Sequence, residues 1–207
     1  GRSQLQVGSP LNDVTMASYQ PILICGGGLS GLTAAVALTR MGFPCQVFEA
    51  KAGLGSDSGG IVLWTRAIRI LDRLGLGSRL RLLGLPTLRG EIWSHDAKPL
   101  FSWEFASDRA SEEVAVVERN ELRQALLDEL PLDSVHFENE LVKAEQTSSQ
   151  VVAQFRRADR MVTVEGSILI GADGWRSHVR IRTFFMPQII YHETVILPSN
   201  THQPNDM

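Results

Sequence analysis

The fold is decided by residues 22–49, which read ILICGGGLSGLTAAVALTRMGFPCQVFE. An apolar run enters a cluster of glycines, a segment rich in Ala, Leu and Val follows, and a second apolar run ends in Glu49. This order predicts a strand over 21–25, a helix over 29–41 that stops at a glycine, and a second strand over 44–48. Strand, glycine turn, helix and strand make a parallel crossover unit, so the predicted fold class is α/β with a Rossmann-like parallel sheet.

Three glycines, Gly26, Gly28 and Gly31, match the pattern G-x-G-x-x-G directly after the first predicted strand. In this pattern the first glycine allows a tight turn, the second lets a pyrophosphate approach the backbone, and the third lets the helix pack closely on the strand. The N-terminus of the helix then faces the phosphate charge. Alone the pattern is weak, because glycine clusters also occur as plain turns.

Glu49 makes a dinucleotide site the better interpretation. It ends the second predicted strand, where a carboxylate accepts hydrogen bonds from the ribose hydroxyls of an adenosine. The alternative is that Glu49 is only a solvated strand end. The ordered series of strand, turn, helix, strand and acid favours the cofactor site over this alternative. A carboxylate there disfavours a 2′-phosphate, so the pocket suits the adenosine of FAD or NAD rather than that of NADP.

A second motif lies in residues 167–180, SILIGADGWRSHVR. An apolar strand ends shortly before Asp173 and Gly174, and Ser177 is placed to cap the helix that follows. Asp173 therefore falls at the carboxyl end of a sheet strand, where open α/β sheets make ligand contacts. A purely structural role in the turn is the alternative.

The rest of the chain alternates between helical and strand patterns. Residues 64–75 carry apolar side chains at helical spacing, and residues 88–105 show a period of two around a turn at 96–98, which predicts a hairpin. A strand over 114–117 leads into a helix with leucines along one face. Further short strands are predicted over 134–137, 141–145, 151–156, 161–164 and 168–170.

Composition restricts the function classes. Of the 207 residues, 43% are hydrophobic and 21% are charged, which is a globular composition. The formal net charge of −3 lacks the positive field that nucleic-acid binding requires. No run approaches the ~18 to 20 apolar residues of a membrane span, and no secretory signal is visible, so we expect a cytoplasmic protein.

Metal and thiol chemistry are not indicated. The five histidines show no metal-ligand spacing. The two cysteines, Cys25 and Cys45, fall in predicted core strands, which favours free buried thiols over a disulfide. There is no Gly-x-Ser-x-Gly elbow to supply a hydrolase nucleophile.

Three motifs together resemble the class A flavoprotein monooxygenases, the p-hydroxybenzoate hydroxylase-like aromatic hydroxylases and their epoxidase relatives. That family has a G-x-G-x-x-G with a following acid, an R-x-x-L that opens a helix, and an Asp-Gly that continues to S-x-h-R, where h is apolar. Residues 59–77 also resemble the segment that follows the acid in that family. The matching positions here are residues 26–49, Arg119 with Leu122, and Asp173-Gly174 with Ser177, Val179 and Arg180.

The resemblance implies FAD as cofactor, NAD(P)H as electron donor, and transfer of one oxygen atom of O2 to an aromatic or unsaturated small molecule. It implies that Arg119 contacts FAD, and that Asp173 faces the pyrophosphate while it shapes the surface that NAD(P)H approaches. Many relatives carry a basic residue where this chain has Ala50, so Lys51 is expected to take that place. A surface role beside acidic neighbours is the alternative for Arg119. No catalytic acid or base is indicated.

The sequence also departs from the family. The second FAD motif, a G-D-A-A-H-like run, occurs nowhere in the 207 residues. We therefore expect a truncated member: an upstream extension or expression remnant over 1–15, an FAD-binding domain over 16–182 with partial substrate-domain strands at about 85–117, and a divergent tail over 183–207. Two alternatives stay open, an NAD-dependent Rossmann enzyme and a non-catalytic FAD-binding fragment.

Overall fold

The structure is a computed structural model that describes residues 20–55, 59–87, 89–104 and 114–183. The strands are β1 (Ile22–Cys25), β2 (Cys45–Phe48), β3 (Gly60–Leu63), β4 (Leu85–Pro86), β5 (Arg89–Trp93), β6 (Pro99–Glu104), β7 (Ala115–Glu118), β8 (Val135–His136), β9 (Glu140–Gln146), β10 (Val151–Arg157), β11 (Arg160–Gly166) and β12 (Ile168–Gly171). The helices are α1 (Leu29–Arg40), α2 (Thr65–Arg73), α3 (Gly77–Leu83), α4 (Arg119–Leu127) and α5 (His178–Thr183), with a 3₁₀ turn at Leu132–Ser134.

A parallel sheet of order β12-β1-β2-β8 forms the centre, as the crossover pattern predicts. Strand β1 pairs with both β12 and β2, so Cys25 lies opposite Gly171 on one side and Phe48 on the other. The carboxyl ends of these three strands therefore meet at one edge of the sheet. Segments that are far apart in sequence, after β1, β2 and β12, come together there.

The two faces of β1 belong to two different cores, because side chains alternate across a strand. Ile22 and Ile24 pack into a cluster with residues of α1 and α4, whereas Leu23 and Cys25 pack into a cluster with Phe155 of β10. Helices thus cover one face of the parallel sheet. The antiparallel sheet of order β11-β10-β9 lies against the other.

Local sequence explains where α1 and α4 begin and end. Gly42, just after α1, has φ +87°, a left-handed conformation that ends the helix with little strain. At the start of α4 the Glu118 side chain accepts a hydrogen bond from the Glu121 N–H at 2.7 Å. This is an N-cap that satisfies one of the free amides of the first turn. The apolar face of α4 buries Leu122 and Leu126.

The predicted antiparallel interruption is confirmed. Strands β5 and β6 pair over Arg89 to Glu104, and the turn between them is closed by the Ser94 N–H, which donates to the Lys98 carbonyl at 2.8 Å. Ala97 in that turn has φ +57°. A third antiparallel sheet has the order β3-β7-β4. Both cysteines are buried and free, as expected.

Three local predictions were wrong or incomplete. Trp64 does not pack on a helix face: it precedes α2 in an extended conformation and is 55% exposed. Helix α3 was missed because it is short and lies between glycines that read as stops. Strand β3 was missed because it is defined by antiparallel pairing with β7, more than fifty residues along the chain, and not by a local period.

Most of the predicted terminal segments, 1–15 and 183–207, lies outside the described residues. The proposed division of the chain into domains therefore stays a prediction. Among the residues that the structure describes, no helix is long and apolar enough to cross a membrane.

His136 makes the stability of the fold depend on pH. Its ring stacks on Phe48 with centroids 4.9 Å apart, and its Nε2 atom is buried without a partner among the described residues. Burial, followed by the nearby Arg157, lowers the pKa of His136 below 6.5, and Asp133 opposes this. The unfolded chain then binds more protons than the folded chain as the pH falls through about 6.5, so acid destabilises the fold.

We expect the melting temperature of the His136→Phe variant to fall less between about pH 8 and about pH 5.5 than that of the parent chain. Phenylalanine keeps the stacked ring and cannot be protonated. Thermal unfolding followed by circular dichroism at both pH values measures the difference. Equal acid sensitivity of the two proteins would contradict the assignment.

Candidate cofactor site

The carboxyl edge of the parallel sheet opens into a cleft of about 620 Å³. Six of the seven residues predicted to bind the cofactor line it; Gly31 is buried just behind it. Those six residues are Gly26, Gly28, Glu49, Lys51, Arg119 and Asp173. The fold therefore brings motifs from the first, middle and last thirds of the described chain to one place.

The G-x-G-x-x-G segment, which runs from the loop after β1 into α1, contains two positions where a side chain does not fit. Gly26 has φ +111°, and a Cβ atom there would lie 2.3 Å from the carbonyl oxygen of Ala172. A Cβ atom on Gly31 would lie 1.9 Å from the carbonyl oxygen of Gly26. These contacts let α1 pack directly on the turn that precedes it.

Gly28 differs from both. Its φ is −75°, which any residue adopts, and a Cβ atom there would meet nothing within 4 Å. Gly28 is the N-cap of α1, and no side chain caps the helix. The first amides of α1 are thus left for a ligand, and together with the helix dipole they attract an anion.

Glu49 lies directly after β2 and holds two backbone amides. Its Oε2 atom accepts a hydrogen bond from the Gly27 N–H at 2.7 Å, and its Oε1 atom accepts one from the Lys51 N–H at 2.9 Å. A carboxylate has about four lone-pair positions, so both oxygens retain capacity for ribose hydroxyls.

Asp173 has the structural role that the sequence offered as an alternative, and its cofactor contact stays a prediction. Its Oδ2 atom accepts hydrogen bonds from the N–H groups of His178 at 2.6 Å and Val179 at 3.0 Å, and so fixes the start of α5. Its Oδ1 atom is buried and has no partner among the described residues. Ser177 supplies the predicted cap, since its Oγ atom accepts from the Arg180 N–H at 3.0 Å.

Arg119 is the first residue of α4 and is exposed at the cleft. A positive charge at a helix N-terminus opposes the helix dipole, and an anionic ligand in the cleft would relieve that cost.

Cys25 also lines the cleft, and burial, followed by the charges of Asp173 and Glu49, raises its pKa to about 12. The Cys25 thiol is therefore neutral at physiological pH.

Arg123 is a buried charged residue of the cleft that was not predicted from the sequence. Arg123 is only 7% exposed, and its Nη2 and Nε atoms donate to the Gly27 carbonyl at 2.9 Å and 3.3 Å. Its Nη1 atom donates to the Leu54 carbonyl. In the sequence, Arg123 stands directly after the buried Leu122 and reads as part of the solvated face of an amphipathic helix. Nothing in the spacing shows that it points inward.

Comparison with known proteins now decides the family. The FAD binding domain family matches residues 19–191. The chain belongs to this family. FAD is the cofactor after which the family is named, and the predicted resemblance to class A flavoprotein monooxygenases is confirmed.

Curated relatives of the chain are flavin-dependent hydroxylases and monooxygenases. The chain is 30% identical over 175 residues to the FAD-dependent urate hydroxylase of Klebsiella pneumoniae, an alignment that covers 82% of this chain and 44% of the relative. It is 32% identical over 174 residues to the 3-hydroxybenzoate 6-hydroxylase of Polaromonas naphthalenivorans, which covers 77% and 41%. The chain thus spans less than half the length of these relatives, and its predicted truncation stays a prediction.

Solved structures show the same fold. The structure of Klebsiella pneumoniae HpxO with FAD and uric acid matches with a TM-score of 0.67 at 28% identity, over 78% of this chain and 41% of that one. The p-nitrophenol 4-monooxygenase PnpA of Pseudomonas putida matches with a TM-score of 0.73 at 18% identity, over 80% and 43%. These matches confirm the α/β fold class with its parallel sheet.

The glycine geometry gives a matched pair of substitutions. We expect Gly31→Ala to destabilise the fold by about 1–3 kcal/mol, because its methyl group collides with the Gly26 carbonyl. We expect Gly28→Ala to cost less than about 1 kcal/mol, because its methyl group enters open space. Gly28→Ala should instead weaken FAD binding. Chemical denaturation and FAD titration of both variants measure the two effects, and equal loss of stability would contradict the geometry.

Proposed function

We propose that the chain is the FAD-binding part of an FAD-dependent monooxygenase that hydroxylates or epoxidises an aromatic or unsaturated small molecule, with NAD(P)H as the electron donor. The observation that carries the proposal is the uncapped N-terminus of α1, which opens into the same cleft as the Glu49 carboxylate. The relatives named above act on small molecules, and their names support this substrate class.

The residues present fit FAD. Glu49 would hold the adenosine ribose, and Gly28 with the first amides of α1 would hold the diphosphate. Gly26 and Gly31 shape the turn that makes this approach possible. The buried Oδ1 atom of Asp173 has no partner among the described residues, as expected of a group that awaits a ligand.

Two basic side chains complete the proposed site. Arg119 would place its guanidinium against the cofactor phosphates, and Lys51 would lie beside the adenosine. Each is a binding residue in this proposal, and neither transfers a proton. The family match covers both Arg119 and the Asp-Gly motif, and this supports an FAD site over the site of an NAD-dependent Rossmann enzyme.

When bound, FAD would supply the redox chemistry, namely hydride acceptance and reaction with O2. The residues described here bind and orient the cofactor. The glycine loop excludes side chains from the diphosphate position, and Glu49 sets the direction of the adenosine. We infer a cytoplasmic setting and no nucleic-acid partner, and the formal net charge of −3 supports the second of these inferences.

The proposal is tested by titration of the purified chain with FAD, followed by flavin fluorescence and absorbance, with NADH as the control ligand. Saturable binding of FAD in preference to NADH is the expected result. Binding of NADH without FAD would favour an NAD-dependent enzyme. Binding of neither ligand would overturn the proposed cofactor function of this chain.

Glu49 provides a second prediction. We expect Glu49→Gln to weaken FAD binding by about 1–3 kcal/mol, because an amide cannot accept hydrogen bonds from two backbone amides and from the ribose at once. Glu145→Gln is the matched control, since Glu145 is an exposed β9 residue whose partner is Lys143. An FAD affinity of the Glu49→Gln variant equal to that of the control would remove Glu49 from the site.

A further inference from the structure

We propose that Arg123 is a positioning residue for the cofactor diphosphate, because it orients the peptide group between Gly27 and Gly28. This inference rests on the proposed function, since it concerns how the same cleft binds FAD. It assigns a role to a buried guanidinium in α4 that the motif pattern does not mark.

The contacts of Gly27 fix that residue from two sides. Its N–H donates to the Glu49 carboxylate at 2.7 Å, and its carbonyl oxygen accepts from Nη2 and Nε of Arg123 at 2.9 Å and 3.3 Å. The Glu49 carboxylate and the Arg123 guanidinium thus hold Gly27 between them. Neither peptide group of Gly27 can turn without breaking a charge-assisted hydrogen bond.

Because of the geometry of the peptide bond, this contact also orients the N–H group of Gly28. In a trans peptide the carbonyl of Gly27 and the N–H of Gly28 point in opposite directions. Because the Gly27 carbonyl points toward Arg123 of α4, the Gly28 N–H points away from that side chain. A Cβ atom on Gly28 would meet nothing within 4 Å, so there is open space beside this residue for a ligand.

The charge of Arg123 acts in the same direction. Among the described residues the structure records no salt bridge to Arg123, although the side chain is 7% exposed. Its recorded partners are two neutral carbonyls, those of Gly27 and Leu54. A buried positive charge without a counterion is costly, and a diphosphate at the adjacent loop would compensate it.

Joining the Gly27 and Leu54 carbonyls requires a side chain with several N–H donors in fixed directions. The guanidinium reaches the Gly27 carbonyl with one edge and the Leu54 carbonyl with another, so it joins the glycine loop to the segment that follows Glu49. A lysine would keep the charge but lacks the planar fork that joins two carbonyls. Arg123→Lys should therefore show a smaller loss than Arg123→Gln.

The test compares ligands with and without a diphosphate. The parent chain, Arg123→Gln, Arg123→Lys and the control Arg79→Gln are titrated with FAD, ADP and adenosine. Arg79 is a suitable control because it is a half-buried arginine in α3 that pairs with Asp128 and does not line the cleft. We expect Arg123→Gln to raise the Kd for FAD and ADP about tenfold or more, and the Kd for adenosine less than about twofold.

Several outcomes overturn the inference. If FAD and ADP bind the Arg123→Gln variant as tightly as the parent, Arg123 does not position the loop. If adenosine binding falls as much as ADP binding, Arg123 supports the fold and not the diphosphate. Should Arg123→Gln fail to fold, judged by circular dichroism, Arg123→Lys decides: a selective loss of ADP binding supports the role, and unchanged ADP binding refutes it. A parent chain that binds neither FAD nor ADP overturns the proposed function as well.

Discussion

The close contact between α1 and the turn that precedes it is the constraint on which the site depends. The Gly31 backbone lies against the carbonyl of Gly26, and Gly26 in turn lies against the backbone after β12. The N-terminus of α1, the glycine turn and the end of β12 thus meet through backbone atoms and the small side chain of Ala172. This packing sets the N-terminus of α1 at the edge of the sheet with its amides directed outward, and an anion-binding site is the physical consequence.

The rest of the fold supports that contact. The parallel sheet brings the ends of β1, β2 and β12 together, so that Glu49 and Asp173 lie at one edge although they are far apart in sequence. Helix α4 packs beside α1 in the same core and carries Arg119 and Arg123 to the cleft. The antiparallel sheet of β9 to β11 covers the opposite face and leaves this edge open.

Much of this was predictable, because the signals are local. Contiguous apolar runs, a glycine turn and a helix stop predict the crossover from β1 to β2. The place of Glu49 at the strand end predicts its position at the cleft. Arg123 was not predictable, since its burial depends on how α4 packs against a loop ninety-six residues earlier in the chain. Strand β3 was missed for the same reason, as only its pairing with β7 makes it a strand.

The central claim is that the uncapped N-terminus of α1 binds the diphosphate of FAD. A crystal structure of the chain with FAD tests it most directly. We expect diphosphate oxygens within hydrogen-bond distance of the Gly28 N–H and the first amides of α1, with the adenosine ribose against Glu49. FAD bound with its diphosphate away from α1, or with its adenosine remote from Glu49, would contradict the account.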